Sequence, residues 1–192
     1  MRGSTRRAAL AAGLSLFAGR AAAQTPPPAL TALVDGGSVA LICHASAPGT
    51  GDPPEFRFGS CETQRNLDQT GRSQAADLGR SLREAGVLVT QVRSSRWCRA
   101  LETAALAFPD VPTIPDAALD DMAGDDESRA RQARRARGLV SRWSGRQGVL
   151  ALVTHPATIG ALTGIAPDDG EIVALRPRRE GFEIAGRWNP HP

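Results

Sequence analysis

The chain has 192 residues, 41% of them hydrophobic, which is enough for one compact domain with its own core and too few for two. Its formal net charge of +3 comes from 23 basic and 20 acidic side chains, but Arg2, Arg6, Arg7 and Arg20 all precede residue 24, where no acid occurs. Beyond that segment the charges nearly balance, so the sustained positive surface of a nucleic-acid-binding protein is excluded.

Residues 1–23 pass from a basic start through an apolar stretch into Ala21-Ala22-Ala23, the pattern of a signal peptide cleaved at or near Gln24. The apolar part is about a dozen residues long, whereas a membrane span needs roughly 20, so no permanent span is expected after cleavage. Ser4-Thr5-Arg6-Arg7 resembles a twin-arginine export signal, without the aromatic or leucine that usually follows the arginine pair. A periplasmic or secreted location follows. Residues 24–37, with Pro26-Pro27-Pro28, read as a linker and lead-in, and residues 38–192 as the domain.

Residues 38–43 (SVALIC) are a short apolar run after two glycines and predict a buried strand, with His44 just past its end. Residues 45–66 hold too many Pro and Gly for a regular element and predict a long binding loop or lid. From Gly71 the spacing of Ala75, Leu78, Leu82 and Ala85 predicts an amphipathic helix ended by Gly86. A strand is expected over 87–92, then a helix capped by Ser94-Ser95 and stopped by Pro109. Residues 110–126 read as a loop, 127–143 as a helix whose arginines cover a solvated face, and 148–153 as a third buried strand leading to His155. A short helix over 157–162 and strands over 171–175 and 182–185 close the chain.

Strands alternating with helices predict an α/β domain of three layers, a mostly parallel sheet with helices on both faces. Such sheets bind ligands beyond the carboxyl ends of their strands. His44, the 94–99 segment and His155 each follow one of the three clearest strands, so they should gather at one rim. Singly, each has a plainer account: a buried histidine is more often a satisfied core residue, and an arginine near a helix start a surface charge. Their common placement favours chemistry. A neutral imidazole can attack phosphorus if fixed donors hold the phosphate charge; Arg99 could supply that clamp, and His155 a hydrogen bond to a phosphoryl oxygen.

At these residues the chain resembles the histidine phosphatase (phosphoglycerate-mutase-like) superfamily. Cys43-His44-Ala45 is similar to its Arg-His-Gly/Ala signature, and residues 67–75 resemble its Leu-x-x-x-Gly-x-x-Gln-Ala helix start. Residues 94–104 resemble its Ser-Ser-x-x-x-Arg-Ala-x-x-Thr-Ala segment, and Val153-Thr154-His155 its second histidine, with order and spacing agreeing over residues 38–176. The resemblance implies a phosphoglycerate-mutase-like fold and an exported phosphatase acting on a phosphorylated small molecule or phosphoprotein. It implies His44 as nucleophile, Arg99 as phosphate ligand, His155 as second pocket histidine, and no metal or organic cofactor. Asp121 is the nearest match to the acid that protonates the leaving oxygen, with Asp120, Asp125 and Asp126 crowding the same loop.

Cys43 departs from the signature, standing where the family has a phosphate-binding arginine. Losing a charge-assisted contact worth about 1.5–3 kcal/mol predicts a slow enzyme and a gain of at least about tenfold in kcat/KM from Cys43→Arg. Arg57 or Arg65 in the long loop could instead replace it. The alternative from another class is a non-catalytic phosphate-binding or scaffold protein that keeps the fold. A serine hydrolase finds no strand before Gly71-Arg72-Ser73. A cysteine phosphatase finds Gly49 and Ala104 where it needs arginine, and zinc finds no paired cysteines. In an oxidising compartment Cys61 is expected to bridge Cys98 and leave Cys43 free; three free thiols, or a pair using Cys43, are the other possibilities.

Overall fold

The structure, a computed structural model, describes residues 25–191, so the signal peptide expected over 1–23 lies outside the described residues. The folded body begins with a short helix, α1 (Pro28–Val34), whose Ala29, Ala32 and Leu33 are buried. In chain order follow β1 (Ser38–Cys43), α2 (Gln69–Glu84), β2 (Val89–Ser94), α3 (Cys98–Ala107) and β3 (Thr113–Pro115). The chain then forms α4 (Asp126–Ser141), β4 (Val149–Thr154), α5 (Pro156–Thr163), β5 (Ile172–Pro177) and β6 (Phe182–Trp188). The strands make one sheet in the order β3-β2-β4-β1-β5-β6. The first four in that order are mutually parallel, β5 is antiparallel to β1, and β6 reverses again.

This is the expected α/β architecture of three layers with a mostly parallel sheet, and its strands show why. All six residues of β1 and all six of β4 are buried, as parallel strands covered on both faces must be. The two-residue period then sorts the core. Ala40, Ile42, Ala151 and Val153 face α1, α2 and α3, whereas Val39, Leu41, Leu150 and Leu152 face α4 and α5.

Asp68 caps α2, accepting the Gly71 N–H at 2.7 Å, and Ala75, Leu78 and Leu82 form its buried stripe. A Cβ at Gly79 would lie 2.0 Å from the Ala107 carbonyl oxygen, so only glycine lets α2 and α3 pack this closely. In α4 the buried residues are Ala133, Ala136, Leu139 and Val140, while Arg129 and Arg131 form exposed pairs with Asp126 and Glu127. Its arginine run is a solvated face.

Three local expectations need correction. The 110–126 segment contains β3, three residues parallel to β2 and too short to give a periodic signal. The second strand runs two residues later than expected, ending in Ser94. Nor do the serines cap α3: Trp97 precedes it, and the Cys98 amide donates instead to Gln64 Oε1 at 2.9 Å.

Cys61 and Cys98 form a disulfide across 37 residues of chain, with their Cα atoms 5.7 Å apart, and Cys43 is a buried free thiol. The bridge ties the long loop to the start of α3. On the chain-entropy account it restricts the unfolded state by about 4 kcal/mol.

Candidate active site

The register of β1 on β4 sets Cys43 opposite Thr154. The next residue of each strand, His44 and His155, therefore emerges at the same rim, with ring centroids 5.2 Å apart and planes at 70°. Ser94 pairs with Val153 one strand further along, so the β2–α3 turn delivers Ser95, and the first turn of α3 delivers Arg99, to the same place. All three expected residues converge and are almost fully buried: His44 is 3%, Arg99 1% and His155 0% exposed.

The loop after His44 is held by the segment that starts α2. The Ser46 N–H donates to Gln74 Oε1 at 2.9 Å, and the Ala45 N–H to Thr103 Oγ1 at 3.0 Å. A Cβ at Gly71 would sit 2.0 Å from the Ser46 carbonyl oxygen. Gly71, Gln74 and Thr103 thus fix the backbone beside the histidine.

His44 Nδ1 lies 2.8 Å from the Ala45 carbonyl oxygen. A carbonyl only accepts, so Nδ1 carries the proton and Nε2 keeps its lone pair. Arg99 Nε donates to that Nε2 at 3.3 Å. Burial, joined by the Arg99 charge, pulls the His44 pKa down to about 4 against the support of the Ala45 carbonyl. Burial and the neighbouring His44 and Arg99 hold His155 well below the ordinary imidazole range. Both rings are neutral at pH 7.

Acid sensitivity follows from these two depressed values. Between the ordinary pKa of 6.5 and about 4 the unfolded chain binds protons that the folded chain refuses, so stability falls as pH drops through that window. At ~1.4 kcal/mol per unit, His44 alone accounts for about 3 kcal/mol. Urea unfolding should show a lower midpoint at about pH 4 than at about pH 7, with His44→Asn flattening the difference; equal midpoints would show that the rings titrate freely.

Arg99 is engaged on every side. Nη1 donates to both oxygens of Asp52, at 3.0 and 3.2 Å, and Nη2 lies 3.4 Å from Asp121 Oδ2 and 3.4 Å from His155 Nδ1. Because a guanidinium only donates, His155 Nδ1 accepts there, and its Nε2–H donates to Ser95 Oγ at 2.7 Å. The Ser95 hydroxyl in turn lies 3.4 Å from Asp120 Oδ1.

The acids of the 120–126 loop separate by geometry. Asp120 is buried and bound by Arg96, and Asp125 accepts from Ser128 at the start of α4. Asp126 is 98% exposed on its side chain. Asp121 alone of the four reaches Arg99 and lies 3.9 Å from His155 Nδ1. Burial raises its pKa, against the lowering charge of Arg99.

Sequence reasoning did not single out Asp52. From the middle of the long loop its carboxylate accepts from Arg99, from Trp97 Nε1 at 2.9 Å and from the Arg65 N–H at 3.0 Å. Burial disfavours its charge, but these donors and Arg99 outweigh burial and depress its pKa. In the sequence Ser95 reads as a helix cap and as part of the 94–104 resemblance, and its bond to His155 has no sequence signal. Cys43 has no exposed surface, and burial first, then Asp169, raise its thiol pKa well above the usual range.

No family sequence model matches the chain, and no curated protein sequence does. Solved structures match its fold. One is the protein histidine phosphatase SixA complexed with tungstate, with TM-score 0.59 and 14% identity over 80% of this chain and 97% of that one. Another is the alpha-ribazole phosphatase from Shigella flexneri, with TM-score 0.60 and 16% identity over 77% and 94%. A third is a phosphoserine phosphatase variant from Entamoeba histolytica in complex with phosphoserine, with TM-score 0.55 and 14% identity over 80% and 98%. At these identities the likeness shows a shared fold.

Proposed function

We propose that the chain is a phosphatase that hydrolyses phosphate monoesters or phosphoprotein through a phosphohistidine on His44. The observation that carries this is the His44 ring, whose Nδ1–H is spent on the Ala45 carbonyl while its bare Nε2 faces a buried guanidinium. Nε2 attacks phosphorus and the ester oxygen leaves, taking the proton of Asp121. Water then attacks the phosphohistidine, Asp121 takes a proton back, and phosphate leaves with His44 restored.

Arg99 clamps the equatorial oxygens during transfer. His155 can donate to one of them from its Nδ1–H tautomer, in which the Ser95 hydroxyl has turned from Asp120 to donate to the bare Nε2. Asp52 occupies donors that a phosphoryl group would use, so it gives way when substrate enters. The disulfide suits an oxidising compartment, in keeping with a periplasmic or secreted enzyme whose residues 1–23 are a signal peptide.

The test is hydrolysis of a generic aryl phosphate by the purified chain, with quenched-flow trapping of the intermediate. A phosphoryl group that is stable to base and labile to acid, and that maps to the His44 peptide, is expected. Tungstate binding without turnover would favour the non-catalytic phosphate-binding alternative.

A further inference from the structure

We infer that Arg65 is the second cation of the phosphate pocket, doing from the long loop the work of the arginine that Cys43 replaces. The inference rests on the phosphate-transfer site proposed above.

Its geometry comes from the loop itself. Arg65 Nη1 donates to the carbonyl of Ala47, three residues past His44, and the backbone N–H of Arg65 holds Asp52, the carboxylate bound to Arg99. Between those anchors the Arg65 side chain lies under the loop, with its Cδ 3.6 Å from the position a Cβ would take on Gly49. Its Nε is buried and has no hydrogen-bond partner among the described residues. A buried guanidinium N–H without an acceptor is rare in folded proteins and suits a site whose acceptor arrives with a ligand.

The other arginines near this rim are committed elsewhere. Arg96 is paired with Asp120, Arg72 with Glu102 and Arg93 with Asp116. Arg57, the other candidate from the sequence, is exposed, and its contacts run through its backbone to Thr63 and Gln64. The charge of Arg65 is felt across the pocket: it adds, after burial and nearer charges, to the lowering of His44, His155 and Arg99, and it opposes the rise that burial imposes on Asp121. Such a charge also stabilises an entering phosphoryl group.

Cys43 supports the same division of labour. Its side chain is packed with Val39 and Leu41 in the core under α4 and α5, so β1 contributes apolar bulk where an arginine would have reached the rim. The cation has moved from the strand to the loop, held by the loop's own backbone and by the disulfide at Cys61. Consequently Cys43→Arg in the natural chain should gain far less than the tenfold expected from sequence alone.

Titration with tungstate separates this from turnover, using the full chain and four variants: Arg65→Ala, Arg65→Gln, Cys43→Arg, and Cys43→Arg with Arg65→Ala. Arg65→Gln removes the charge and leaves a shorter neutral donor that ends where the Arg65 Nε lies. Both Arg65 variants should weaken tungstate binding roughly ten- to hundredfold and lower kcat/KM by a similar factor, with thermal unfolding near that of the natural chain. Cys43→Arg alone should change both by less than about threefold, yet recover about tenfold or more in the Arg65→Ala background. Tungstate affinity within about twofold of the natural chain in Arg65→Gln would overturn the inference, even if activity fell. An inactive natural chain that still loses tungstate affinity in Arg65→Gln would sink the phosphatase proposal and leave this one standing.

Discussion

His44→Ala is expected to lower kcat/KM for an aryl phosphate by on the order of 10⁴-fold or more, to the background of the assay. Removing the nucleophile leaves the Arg99 clamp and the acid in place, so tungstate should still bind. No neighbouring group can take over the attack. His155 Nδ1 is turned to Arg99 and Asp121, and the Cys43 thiol is buried, protonated and packed in the core. Cys43→Ala should therefore keep most of the activity. If His44→Ala retained turnover while Cys43→Ala lost it, the nucleophile would be the Cys43 thiolate and the imidazole would be dispensable.

The rim residues were legible in the sequence because β1 and β4 are continuous apolar runs with one buried face on each side. The end of β1 could be read to the residue and that of β4 to within one, and a parallel register then places His44 beside His155. Arg99 was legible through its position at the start of a helix that follows a strand. The contacts of Asp52 and Arg65 were not, because the 45–66 loop has no period: Asp52 meets Arg99 from 47 residues away through side-chain bonds alone. The same limit hid β3, which depends on the neighbouring β2 for its pairing. The sequence points to local serines as the cap on α3, but the acceptor for the Cys98 amide comes from a distant side chain, Gln64. Local patterns report backbone choice, whereas these features depend on which surfaces meet after folding.

Arg99→Ala should lower kcat/KM by roughly 10² to 10⁴-fold, since it removes two charge-assisted contacts to the phosphoryl group at about 1.5–3 kcal/mol each. It should also destabilise the fold. The guanidinium is 1% exposed and lies between Asp52 and Asp121, and without it two partly buried carboxylates face each other with no cation between them. Breaking a buried pair by deleting one partner typically costs about 3–5 kcal/mol. Part of that cost disappears here because Asp121, already raised by burial, can take a proton, so the loss should be smaller at about pH 5 than at about pH 8. Arg99→Lys separates the two roles. An ammonium keeps the charge between the carboxylates but cannot span Asp52, Asp121 and both histidines at once, nor grip a phosphate with two parallel bonds. It should recover most of the unfolding midpoint in urea and little of kcat/KM. If Arg99→Lys recovered activity and stability in equal measure, or if Arg99→Ala stayed within about tenfold of the natural chain, Arg99 would be a buried counter-ion for Asp52, and the transition-state clamp would have to lie elsewhere.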